Sequence, residues 1–153
     1  MKLVIGCDNA AVSLKNIIKD YLTKTRNIEL EDVGVFSEDD QEVYPAVAQK
    51  AVAVIHDRTN EIEFGILLCG TGIGMALAAN KFKGIKAAVC HDIYSTERAK
   101  KSNNANIMTL GARVIGPETA KKMVDVWLDS EFAGGGSASK VAVIDRFEEE
   151  NFK

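Results

Sequence analysis

The chain has 153 residues, 46% of them hydrophobic and 27% charged, which fits one globular domain and excludes a disordered or fibrous composition. Nineteen basic and 22 acidic residues are interleaved for a formal net charge of −3, so there is no concentrated positive face for nucleic acid or an anionic membrane, and the expected ligand is small. Cys7, Cys69 and Cys90 are odd in number, form no C-x-x-C pair and have only His56 and His91 as further soft ligands. That pattern points to reduced thiols in a cytoplasmic protein, with no disulfide framework and no metal site. The start "MKLVIGCDNAA" is too short and too polar for a signal peptide, and no apolar run approaches a membrane span of about 18 residues.

In chain order, Leu3 to Gly6 reads as a strand, and "VSLKNIIKDYLTK" follows with Leu14, Ile17, Ile18, Tyr21 and Leu22 at helical spacing. "IELEDVGVF" returns to a strand pattern. Tyr44-Pro45 marks a break, and from Ala46 onward Val47, Ala51, Val54 and Ile55 share a helical face. Phe64 to Leu68 is the third strand, Met75 to Lys81 a helix, Ala87 to Cys90 the fourth strand and Ser95 to Lys101 a helix. "NIMTLGARVIG" supplies a fifth strand with a glycine bend, and Pro117 opens the helix "PETAKKMVDVWLD". Trp127, with Met123, Val124 and Leu128, reads as a core or interface stripe. After the glycines at 134–136, Val141, Val143, Ile144 and Phe147 offer a last amphipathic helix over about 138–150, expected to pack on a partner subunit. Short apolar strands alternating with helices predict a doubly wound α/β domain around a five-stranded, mainly parallel sheet.

In such a sheet ligands bind beyond the carboxyl ends of the strands. Gly6-Cys7-Asp8-Asn9, Cys69 through Gly74, and His91-Asp92 fall there, while Asn103-Asn104 lies just ahead of the fifth strand. The run "CGTGIG" has glycines at 70, 72 and 74 that turn the backbone tightly and aim amides inward, a nest for an oxyanion or phosphate. It lacks the G-x-G-x-x-G spacing of a dinucleotide site and the G-K-[ST] ending of a nucleoside-triphosphate loop, so no cofactor is expected. Two readings of Cys69 stand at this point. At a strand end and a helix start its thiol is expected to ionise more readily and serve as base or nucleophile; equally, a free cysteine is commonly a small buried hydrophobe.

"GCDNAA", "VYP", "LLCGTGIGMALAANKFKGIKAAVC", "NNANIMTLGARVIG" and "WLDSEFAGGG" together resemble the family of type B ribose-5-phosphate isomerase and galactose-6-phosphate isomerase, in order and over nearly the whole chain. The resemblance implies a three-layer α/β/α Rossmann-like sandwich and a homodimer or tetramer with active sites at the subunit interface. It implies metal-free aldose–ketose isomerisation of a sugar phosphate through a cis-enediolate, with Cys69 as the base. Thr71 and the amides of Gly70, Gly72 and Gly74 would hold the oxyanion. Asp8, Asn9 and Tyr44 would contact substrate, Asn103 would bond the reacting end, and Arg113 and Lys140 would bind phosphate.

Typical members read "CDHAG", "DYP", "HND" and "GGRHxxR" where this chain reads "CDNAA", "VYP", "SNN" and "GGGSASK". Asn9 and Ser102 therefore replace histidines, Ser102 at the ring-opening position, and Lys140 replaces an arginine. A lysine binds phosphate as a point charge without the bidentate fork of a guanidinium. These departures leave three expectations open: a different sugar phosphate, a sugar or uronate without phosphate, or a non-catalytic or half-site member of a hetero-oligomer with a sister subunit. His91 is a candidate replacement for the missing ring-opening histidine.

Overall fold

In the computed structural model, which describes residues 1–152, five strands lie in the order β2-β1-β3-β5-β4. They are β1 (Lys2–Cys7), β2 (Glu29–Asp32), β3 (Gly65–Cys69), β4 (Ala87–Val89) and β5 (Ile107–Gly111), and every pairing is parallel. The helices are α1 (Val12–Arg26), α2 (Tyr44–His56), α3 (Ile73–Ala79), α4 (Ile93–Lys101), α5 (Pro117–Leu128) and α6 (Ala138–Asn151). Helices α2 and α3 pack together, as do α1, α5 and α4, so the sheet is the middle of three layers.

Burial on both faces explains why the central strands are continuous apolar runs: all five residues of β3 and all five of β5 are buried. Each fully buried aliphatic side chain contributes roughly 1.5–3 kcal/mol. Trp127 is fully buried, and its ring meets Phe64 edge-on with centroids 5.8 Å apart. It is a core residue of this chain.

Several element boundaries differ from the sequence expectation for local reasons. β2 is confined to Glu29–Asp32; the chain then turns at Gly34, whose φ of +92° leaves the strand region. Helix α2 starts at Tyr44 because a proline in the first turn loses no hydrogen bond, so Pro45 begins the helix where it was expected to break one. Helix α4 starts two residues early, at Ile93, because the Asp92 carboxylate caps it, accepting from the Ser95 N–H at 2.7 Å. Cys69 is the last residue of β3, and α3 begins at Ile73, immediately after the glycine turn.

The last helix forms where expected. On this chain it is fastened to the approach to β4, Asp145 pairing with Lys86 at 2.6 Å and Glu148 accepting from the Gly84 N–H at 2.9 Å. Val141 is buried, while Val143, Ile144 and Phe147 remain exposed. Among the described residues no helix is long and apolar enough to cross a membrane.

Candidate active site

Strand order places a switch point between β1 and β3, since the chain leaves β1 toward β2 on one side and returns to β3 on the other. The two strand ends that meet there carry Asp8 and Cys69. Cys7 pairs with Leu68, and the Asp8 N–H donates to the Leu68 carbonyl at 3.2 Å. A cavity of about 390 Å³ opens beyond these ends, lined among others by Asp8, Tyr44, Cys69, Thr71 and Arg113.

Cys69 is 4% exposed and borders this cavity. The Gly72 N–H donates to its Sγ at 3.1 Å. The other two cysteines differ in kind. Cys7 and Cys90 are fully buried with their thiols aimed at the carbonyls of Val35 and Ala88, and burial pushes both up to about 11. They are packing residues.

The glycine turn is held open by its carbonyls. The Cys69 carbonyl accepts from Ala112 N–H at 2.9 Å, Gly70 from Arg113 N–H at 3.0 Å, and Gly72 from Thr109 Oγ1 at 2.8 Å. Among the described residues, no chain group accepts from the N–H of Gly70, Thr71 or Gly74. The carbonyls face the scaffold, leaving these three donors without an internal partner at the strand end. Gly72 departs from the expected set, because its amide is spent on the sulfur. Its φ of +76°, with backbone of Leu110 at 3.0 Å from where a Cβ would stand, requires glycine there.

Around the nest, Tyr44 lies against Gly74 so closely that a Cβ at 74 would sit 2.6 Å from the phenol ring. The Arg113 guanidinium lies over Gly70, with Nη1 3.0 Å from a Cβ built there. Asp8 caps the single 3₁₀ turn after β1, its Oδ1 accepting from Ala10 N–H at 3.0 Å, and Asn9 sits half-buried in that turn off the cavity lining. Thr71 is exposed, and its Oγ1 accepts from Ile73 N–H at 3.3 Å. Sequence reasoning missed Ile73 and Leu77, 54% and 64% exposed on the cavity side of α3. Their four-residue spacing in "GIGMALAA" was the available signal.

The remaining expected residues lie elsewhere on this chain. Ser102 ends α4 and Asn103 follows it, ahead of β5; at about 3.3 Å per strand residue, the five residues of β5 set them on the order of 16 Å from the Cys69 end. Asn103 lines a separate cleft of about 470 Å³ with Ile144 and Phe147. Lys140 is in the first turn of α6, off the Cys69 cavity. His91 follows β4 and is bonded to Gly111, not to the cavity. Among the described residues no three His, Cys, Asp or Glu side chains converge as a metal site would require.

Comparison with known proteins agrees with this architecture. Residues 3–144 match the model of the Ribose/Galactose Isomerase family. The chain is 50% identical over 148 residues to a D-erythrulose-4-phosphate isomerase of Pectobacterium atrosepticum, covering 97% of this chain and 95% of that one. It is 48% identical over 151 residues to a ribose-5-P isomerase B of Listeria innocua, covering 99% of both. The solved structure of Clostridium thermocellum ribose-5-phosphate isomerase B superposes with a TM-score of 0.91 at 39% identity, over 98% of this chain and 99% of that one. The chain thus belongs to the ribose/galactose isomerase family and is an aldose–ketose isomerase.

Proposed function

We propose that this isomerase works on an open-chain, four-carbon sugar phosphate, interconverting D-erythrulose 4-phosphate and D-erythrose 4-phosphate with Cys69 as the base. The observation that carries the substrate is Ser102, with Asn9, standing where the family pattern has histidines. A pentose 5-phosphate closes a five-membered ring through its C4 hydroxyl, which must be opened before C2 can be deprotonated. A tetrose esterified at O4 has no hydroxyl in position to close such a ring. Its carbonyl is already free, and a ring-opening histidine has nothing to do. The name of the 50% identical Pectobacterium relative supports the same substrate.

The chemistry follows from the turn. Cys69, whose Sγ accepts from the Gly72 N–H, acts as the base and removes the proton from the carbon beside the carbonyl. The C–H electron pair forms the C1=C2 bond, and the carbonyl oxygen takes the negative charge. The free N–H groups of Gly70, Thr71 and Gly74, with the Thr71 hydroxyl, hold that oxygen, each well-aimed donor contributing about 3–4 kcal/mol in the transition state. A proton passes between the two oxygens, and the thiol returns its proton to the other carbon, giving the isomer with no net loss of atoms or charge. Arg113 is the cationic side chain at the cavity and takes the phosphate.

Asn103, Ser102 and Lys140 reach the Cys69 cavity only from a second copy of the chain. Supporting that arrangement, exposed apolar residues stand at the same end of the sheet: Val43, Ile73, Leu77 and Val114 are each more than half exposed.

The test measures kcat/KM for D-erythrulose 4-phosphate and D-ribose 5-phosphate side by side, with deuterium uptake at carbon from heavy water as an independent readout. A preference of about 100-fold or more for the tetrulose phosphate is expected, since a cyclic substrate arrives unopened. Equal or better use of ribose 5-phosphate would refute the substrate; undiminished exchange in Cys69→Ala would refute the base.

A further inference from the structure

Strand β4 ends before its neighbour does. Val89 pairs with Thr109, the Cys90 N–H donates to the Thr109 carbonyl at 3.0 Å, and β4 has already ended. Two residues on, at the end of β5, the Gly111 N–H donates to Nε2 of the His91 side chain at 2.8 Å. A peptide N–H can only donate, so Nε2 carries a lone pair, the ring is neutral and its proton sits on Nδ1.

Gly111 is also the surface on which the reacting turn rests. A Cβ at 111 would stand 2.7 Å from Cα and from the carbonyl carbon of Thr71. Cys69 pairs with Gly111 in the sheet, and the next two amides, Ala112 and Arg113, hold the carbonyls of Cys69 and Gly70. The base and the oxyanion donors are therefore strapped to the end of β5, and an imidazole ties that end down.

We infer that His91 is a positioning residue for the isomerase: its neutral ring holds the Gly111 amide, and with it the Cys69–Gly72 turn, in register, and protonation of the ring releases them. The inference rests on the reading of Cys69 as base. Protonated Nε2 becomes a donor facing a donor, which replaces an attraction by a repulsion. Burial holds His91 below the ordinary imidazole value, against the opposing pull of the adjacent Asp92 carboxylate. Asp92 is itself committed to capping α4. The titratable side chains on the other strand ends that meet at Gly111 are Cys69, the last residue of β3, and Arg113 after β5. Because His91 is absent from the cavity lining, it acts through the backbone and not on the substrate.

The experiment has two arms. In the unmutated protein, nitrogen NMR of the His91 ring is expected to show the Nδ1–H tautomer at pH 7.5. As the ring titrates, the Gly111 and Thr71 amide signals are expected to move together. In kinetics, wild-type kcat/KM is expected to fall by about tenfold per pH unit on the acid side of that titration. His91→Gln offers a non-titrating oxygen near the Nε2 position and is expected to lose the part of that fall due to His91; the substrate phosphate and the base are common to both proteins and cancel. His91→Leu, with no acceptor, is expected to lower kcat by about tenfold with KM little changed. An Nε2–H tautomer, or superimposable acid limbs for wild type and His91→Gln, would overturn the inference. The two failures are separable, because an active Cys69→Ala removes the base while superimposed acid limbs remove the role of His91.

Discussion

The Gly72 amide donates to Cys69 Sγ at 3.1 Å, across a turn in which the carbonyls of Cys69, Gly70 and Gly72 are drawn toward the scaffold. One donor of the nest serves the sulfur and three are left for an oxygen. In the proposed mechanism base and oxyanion site are thus built from one stretch of six residues, Cys69 to Gly74, and their relative geometry depends on how that stretch is seated on β5.

The cysteines should differ in reactivity. Cys7 and Cys90 are sealed in the core with thiols pushed up to about 11, whereas Cys69 borders the cavity beneath a peptide N–H. Iodoacetamide near pH 7.5 is expected to modify Cys69 first, and substrate to protect it. Mass mapping of the alkylated peptides reads the result. Modification of Cys7 or Cys90 ahead of Cys69 would contradict the site.

Arg113 is expected to govern affinity for the phosphate more than the chemical step. Arg113→Lys keeps the charge but loses the fork and should raise KM by about tenfold; Arg113→Met should raise it by about 100-fold. Deuterium exchange at saturating substrate should change much less than KM. A fall confined to kcat would instead place the guanidinium at the reacting carbons.

Stability at acid pH is tied to Asp32. Lys15 is fully buried and donates to the Asp32 carboxylate at 2.8 Å and to the Val35 carbonyl at 2.7 Å. Burial alone would push the carboxyl of Asp32 up, but Lys15, Lys19 and the Gly34 N–H together hold it below the ordinary carboxylate range. A depressed folded value means stability that is present above the unfolded value of about 3.9 and is lost as pH falls through the folded one. Asp32→Asn should remove that acid-side loss and, by stranding a buried ammonium, cost about 3–5 kcal/mol at neutral pH in denaturant unfolding. A neutral effect at pH 7 would show that Lys15 is solvated.

Much of this was legible in the sequence, for identifiable reasons. Apolar runs such as "GILLC" and "IMTLG" announce strands buried on both faces, and "CGTGIG" announces a turn by its glycines. Asp8, Tyr44, Cys69 and Arg113, far apart in the chain, do line one cavity. The extent of β2 was not legible, because its apolar residues continue through Val33 and Val35 after the strand conformation has ended. Neither was the partner of His91: a position after β4 at the right sheet end is compatible with a ring facing substrate or a ring facing Gly111. That choice depends on where β4 stops relative to β5, a matter of register that periodicity does not carry. Ser102 and Asn103 were grouped with the site by resemblance, and the topology of one chain puts them at the other end of β5.

The glycines of the site provide the sharpest mechanical test, because two of them tolerate a methyl group to different degrees. At Gly74 the added Cβ would meet the Tyr44 ring at 2.6 Å, and a partly exposed phenol at the start of α2 can swing aside. Gly74→Ala should therefore fold normally, with kcat/KM lowered by about tenfold through the displaced ring. At Gly111 the Cβ would meet Thr71 backbone at 2.7 Å, and no side-chain rotation relieves it. The only escape is to lift the Cys69–Gly72 turn from the sheet, so Gly111→Ala should cost about 1–3 kcal/mol of stability and lower kcat by about 100-fold or more through a base displaced from its donors. Unfolding curves and steady-state kinetics on the two proteins distinguish the cases. Equal losses at both positions would mean that the seating of the turn on β5 does not set the geometry of proton transfer.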